Sequence, residues 1–139
     1  MGKFSRSQCR EWALQFLYQA EFAGPHQPEA LERFWRHFQT EDAPPAYLLE
    51  LVEGVTSHLE ELDVFIVRYS EHWRLERMTI VDRNLLRLAI YELLYQPNIP
   101  VKVVINEAVE MAKRYGSEAS GGFVNGILDQ VRMAVGREV

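Results

Sequence analysis

The sequence predicts an all-α protein, and three observations carry that expectation. Apolar residues recur at intervals of three and four along almost the whole chain, the spacing that gathers them on one face of a helix. No stretch sustains the apolar–polar alternation of a half-buried strand. Glycine and proline clusters stand where the periodic stretches stop, leaving the short connections usual between packed helices.

The elements follow in order. Ser5 or Ser7 can cap a first helix whose inner face is Cys9, Ala13, Phe16, Leu17 and Ala20, with Gly24-Pro25 as its stop. Pro28 stands where a first-turn proline belongs, ahead of a second stripe of Leu31, Phe34, Trp35 and Phe38. Glu41-Asp42-Ala43-Pro44-Pro45 breaks that stripe. A third helix carries Leu48, Leu51, Val52, Val55 and Leu59, and a fourth carries Leu62, Ile66, Tyr69 and Trp73. Thr79 with Asp82 three residues on resembles a capping box, with Asp in place of the usual Glu or Gln. It opens IVDRNLLRLAIYELLY, where Leu85, Leu86, Leu88, Ala89, Ile90, Leu93 and Leu94 cover most of the circumference, so this helix is expected to be central and nearly surrounded. Pro97 and Pro100 end it. A sixth helix runs from about Val101 to Tyr115, with Gly116 as its C-terminal stop, and Ser120 can cap the last. The sum is about seven helices in one domain spanning residues 1–139.

The last helix contains an oddity. Asn125-Gly126 is a turn signal, yet Phe123, Val124, Ile127, Leu128 and Val131 continue through it at helical spacing. Glycine inside a helix costs about 1 kcal/mol relative to alanine, so the pair suggests a close helix crossing. Gly121-Gly122 and Phe123, just before it, can shape a binding edge.

Composition narrows the function. With 47% hydrophobic and 25% charged residues the chain has an ordinary globular balance. No apolar run approaches the ~20 residues that cross a bilayer, and the N-terminus lacks the pattern of a secretory signal. Cys9 is the only cysteine, which allows neither an intrachain disulfide nor a thiolate zinc site and points to a reducing cytoplasm. The net charge is −5, unevenly spread: residues 20–63 hold ten acids against two bases, while residues 1–19 hold three bases against one acid. That balance argues against a non-specific nucleic-acid binder, which would be basic throughout, but leaves a small basic patch at the N-terminus. There Lys3, Arg6 and Arg10 stand three and four apart, with Gln15 and Tyr18 further along the same helix. Basic side chains neutralise phosphates and an aromatic ring stacks on an unpaired base. On three charges alone, a solvated helix start is the more ordinary reading.

Signs of catalysis are few. Glu107 and Glu110 are one turn apart but lack a converging histidine; His26, His37, His58 and His72 are isolated. Glu110 suits an ordinary ion pair with Lys113 or Arg114. There is no nucleophile elbow, phosphate-cradling loop or dinucleotide fingerprint.

Four segments then carry more than their periodicity. ALQFLYQ, WRLERMTIVDRNLLRLAIYELLY, IPVKVVINEAVEMAKRYG and FVNGILDQV occur in this order and at these separations. Together they resemble the bacterial transcription antitermination factor family NusB, over nearly the whole chain and most weakly over residues 24–45. The resemblance implies two small helical bundles packed together and a non-enzymatic role that needs no cofactor or metal. It implies pairing with NusE, a small-subunit ribosomal protein, and binding to the single-stranded boxA element of ribosomal RNA leader transcripts. NusA, NusG and RNA polymerase would complete the assembly that suppresses premature termination. In the family a basic N-terminal helix end contacts RNA, which places Lys3, Arg6 and Arg10 there. This chain's basic run is thinner than is common in the family, with Ser5, Ser7, Gln8 and Cys9 among its cations. Tyr18 matches the family's LY pair and Phe123 the aromatic of FVNG, so both are expected near the RNA or the NusE edge. Glu76 and Asp82 match acidic positions turned toward NusE. Arg83 and Arg87 can instead pair with these acids internally, and Asp82 is assigned first to capping. Monomer and homodimer both stay open, with Phe4, Trp12 and Tyr18 as candidates for a dimer interface.

Overall fold

The computed structural model describes residues 4–24, 28–37, 43–71 and 73–137. Lys3, Pro25, His26, Phe38, Glu41, Asp42 and His72 therefore lie outside the described residues. Among the described residues seven α-helices follow one another: α1 (Arg6–Ala23), α2 (Pro28–Arg36), α3 (Ala46–Ser57), α4 (Leu59–Tyr69), α5 (Ile80–Tyr95), α6 (Val101–Tyr115) and α7 (Ser120–Ala134). A 3-10 turn, Leu75–Arg77, joins α4 to α5. Among the described residues no helix is long and apolar enough to cross a membrane.

As its sequence demands, α5 is the hub. It packs against α1, α3, α4, α6 and α7. Leu85, Leu86, Leu88, Ala89, Ile90 and Leu93 are buried all round it, and each buried aliphatic side chain contributes roughly 1.5–3 kcal/mol. α2 is held by aromatic rings: Phe34 meets Phe16 edge-on at 5.5 Å, and Trp35 meets Trp12 at 4.8 Å.

Helix ends decide several details. Ser5, rather than Ser7, caps α1 by accepting the Gln8 amide at 3.1 Å. α1 stops at Gly24, whose φ of 89° disfavours any side chain. Thr79 caps α5 by accepting the Asp82 amide at 3.1 Å, but Asp82 Oδ1 is buried without a hydrogen-bond partner among the described residues, so the capping box is only half made. Ser120 does not cap α7. It is the first residue of that helix, and its hydroxyl accepts the Ser117 amide of the preceding turn at 2.9 Å.

Three expectations fail for physical reasons. The third and fourth stripes do not run as far as their apolar residues suggest. α3 ends at Ser57, leaving Leu59 to start α4 on an exposed face. α4 ends at Tyr69, because Glu71 takes a positive φ of 56° that no helix continues through. Trp73 is thereby released from the core and left 54% exposed. Finally, Asn125-Gly126 is not a crossing point: both residues are exposed, and a Cβ on Gly126 would meet nothing within 4 Å. Gly126→Ala is therefore expected to stabilise the protein by about 0.5–1 kcal/mol, measured as a higher denaturant midpoint. A loss of stability would reveal a contact at that position.

Candidate nucleic-acid interface

The start of α1 is tied down on every side. Arg6 is exposed, with its guanidinium carbon 5.3 Å from the centroid of the Tyr47 ring on α3, within the range of a cation–π contact. Ser7 donates its hydroxyl to Glu107 of α6. One turn on, Arg10 departs from the expectation of a phosphate-facing cation. It is only 3% exposed. Its Nε reaches both carboxylate oxygens of Glu92 on α5, at 2.9 and 3.0 Å, and its Nη1 reaches Glu107 at 2.9 Å. The physical reason is that Arg10 follows Cys9 on the inward side of α1, facing two carboxylates that need a partner. Burial opposes its charge, but hydrogen bonding and attraction to Glu92 outweigh that, and Arg10 is held protonated even more firmly than a free arginine. Its Nη2 is buried with no hydrogen-bond partner among the described residues.

Tyr47 completes this buried network by donating its hydroxyl to Glu92. Burial, and then the adjacent Glu92 charge, push its phenol far above the usual tyrosine range, so it stays a neutral donor. Four helices thus converge on two carboxylates. Glu107 is accordingly engaged by Ser7 and Arg10 rather than paired with Glu110. Glu110 lies exposed beside Lys113 at 3.4 Å, an ordinary surface pair. Beside the network lies an open cleft of about 460 Å³ whose lining includes Ser5, Arg6, Ser7, Arg10, Asn106 and Glu107.

Further along α1 the two predicted residues differ in exposure. Gln15 is half-buried against α6, with its amide 3.5 Å from the Tyr115 hydroxyl. Tyr18 is exposed and its ring lies 5.5 Å from that of Phe22, which is 69% exposed. Phe22 was not singled out from the sequence, although an aromatic four residues after Tyr18 on the polar side of α1 is a legible signal.

A second site forms where the 3-10 turn meets the starts of α5 and α7. A notch of about 270 Å³ is lined by Trp73, Arg77, Thr79, Asp82, Ser117 and Phe123, among others. The Trp73 and Phe123 rings meet edge-on at 5.8 Å. Asp82, 8% exposed, contributes the unpartnered Oδ1. Glu76 is exposed in the adjoining turn. The internal pairing open to Arg83 and Arg87 is made with other acids: Arg83 Nε donates to Glu21 at 3.2 Å, and Arg87 grips Asp63 at 2.7 and 2.9 Å. Two predicted residues from distant segments, Asp82 and Phe123, are thus brought to one notch. Trp73 joins them unpredicted, because the break after Tyr69 is what frees it. Arg6 lies elsewhere, about 18 Å along α1 from Tyr18 by helical rise. Among the described residues no group of three or more His, Cys, Asp or Glu is placed to hold a metal ion.

Similar proteins fit this architecture. Transcription antitermination protein NusB of Myxococcus xanthus (strain DK1622) is 50% identical over 137 residues, covering 96% of this chain and 98% of that protein. The structure of T. maritima NusB superposes with a TM-score of 0.82 at 40% identity, over 95% of this chain and 93% of that one. A crystal structure of antitermination factors NusB and NusE in complex with dsRNA gives a TM-score of 0.79 at 29% identity, over 93% and 96% of the two chains. The family model for the NusB family matches residues 7–133, and the chain belongs to that family.

Proposed function

We propose that this protein is a cytoplasmic transcription antitermination factor that pairs with NusE and binds boxA-type single-stranded RNA. The observation that carries this reading is the match to antitermination proteins across almost the whole chain, including one relative solved with NusE and RNA. Within the larger complex NusA, NusG and RNA polymerase would be its further partners. Arg6, with Lys3, supplies the phosphate contacts at the start of α1. Phe123 offers a ring to an unpaired base. Tyr18, Glu76 and Asp82 face NusE, a basic protein, and a buried carboxylate oxygen with no partner of its own suits a donor from that side. With so few cations, phosphate contacts alone give modest, salt-sensitive affinity, and NusE raises it by adding a second RNA-reading surface at high effective concentration.

Fluorescence anisotropy of a labelled boxA RNA, with and without NusE at several salt concentrations, tests this reading. Binding is expected to tighten when NusE is present. Arg6→Ala should weaken it roughly fivefold and reduce the salt slope by about 0.7, the loss of one phosphate contact on a single strand. The burial of Arg10 favours one alternative: a purely protein-binding scaffold. NusE capture without any RNA binding would select it.

A further inference from the structure

We propose that Phe4 is a positioning residue that holds the basic start of α1 in its RNA-competent place, acting through Arg6. The proposal rests on the RNA-binding reading above. A few residues ahead of a first helix ordinarily fray, and a frayed arm must be ordered when RNA binds, which weakens affinity. Here Phe4 and Ser5 are already docked. The Phe4 ring meets Trp12 of α1 edge-on at 5.0 Å and 85°, and Trp35 of α2 at 5.8 Å and 79°. Trp12 and Trp35 meet each other at 4.8 Å and 83°. Three rings from the arm, α1 and α2 are therefore mutually close to perpendicular, the arrangement aromatic quadrupoles favour.

Phe4 stands next to the Ser5 cap and two residues before Arg6, whose guanidinium rests on Tyr47. On the other side of Arg6, Ser7 and Arg10 are fixed to Glu107 and Glu92. Arg6 is thus the exposed cation between two anchored points. Such pre-organisation has a clear use in this chain. A dense arginine run tolerates a floppy arm because some cation always finds a phosphate. A run thinned by Ser5, Ser7, Gln8 and Cys9 does not. Phe4 precedes the first helix and its removal leaves the Trp12–Trp35 contact standing, so the variant is expected to fold.

The test uses the full chain, NusE and a labelled boxA RNA. Phe4→Ala should leave NusE capture unchanged and weaken RNA binding roughly fivefold, with the salt slope retained because no phosphate contact is deleted. Phe4→Tyr should restore affinity. In an Arg6→Ala background, Phe4→Ala should lose most of its effect, keeping only what passes through its neighbour Lys3; fully additive losses would mean that Phe4 touches RNA itself and would overturn the positioning role. Hydrogen exchange supplies a readout independent of RNA. The Gln8 and Cys9 amides, bonded to Ser5 at 3.1 Å each, should exchange faster in Phe4→Ala. Unchanged exchange overturns the proposal whatever the RNA data show. Wild-type protein that binds no RNA fails the functional reading and this role with it, whereas RNA binding indifferent to Phe4→Ala fails this proposal alone.

Discussion

Arg10→Ala is expected to lower the unfolding free energy by about 3–5 kcal/mol, the usual cost of removing one partner of a buried ion pair. Truncation would strand Glu92, itself 2% exposed, with the Tyr47 hydroxyl as its one remaining side-chain donor among the described residues. It would also take the Nη1 donor from Glu107. For a chain of this size the loss corresponds to roughly 10–20 °C in Tm, read by circular dichroism. Arg10→Lys should recover only part of it, because one ammonium cannot span two carboxylates as the guanidinium does. A loss below about 1 kcal/mol would place the pair in the class of solvent-screened surface contacts and refute its burial. The result also governs any RNA experiment: a variant lacking both Arg6 and Arg10 reports on folding as well as on phosphate contact, so Arg6 must be tested alone.

The second large effect is expected at Gly54→Ala. A Cβ built there would lie 2.2 Å from two ring carbons of Tyr91 and 2.6 Å from its hydroxyl oxygen. Tyr91 is 7% exposed and its ring lies 5.3 Å from that of Tyr95, tilted by 30°, so the ring is confined on that side. Overpacking of this kind costs about 1–3 kcal/mol, more than the helix propensity that alanine adds, and a net loss of about 2 kcal/mol is expected in denaturant unfolding. Gly54 and Gly126 therefore form a matched pair: the same substitution in two helices, with opposite signs. Stabilisation by Gly54→Ala would refute the close approach of α3 to α5.

The contrast between these glycines shows what the sequence exposes and what it hides. The helices and the central place of α5 were legible because periodicity, caps and prolines are local signals. Asn125-Gly126 looked like a crossing because glycine inside a helix usually has a packing reason, yet its environment turned out to be open. Gly54 drew no attention within the stripe of Leu48, Leu51, Val52 and Val55, because its partner lies in a different helix. Arg10 was misplaced for the same cause. Its environment is set by carboxylates 82 and 97 residues away, which no local pattern announces. Trp73 fell at helical spacing after Tyr69, but a single residue with positive φ intervened. At the candidate interface, the segments that resemble the family led to Tyr18, Asp82 and Phe123; Phe22, Trp73 and Phe4 required the folded arrangement.

Arg83 joins three of the pieces around that interface. Its guanidinium grips Glu21 near the end of α1 and donates to the carbonyl oxygens of Leu75 and Met78, at 3.2 and 3.4 Å, on and just after the 3-10 turn. The last turn of α1, which bears Phe22, is thereby locked to the turn beside Trp73. For a partner arriving on this face the consequence is kinetic. A surface held in place this way favours rigid docking, and substitutions there are expected to register mainly in how long a complex lasts.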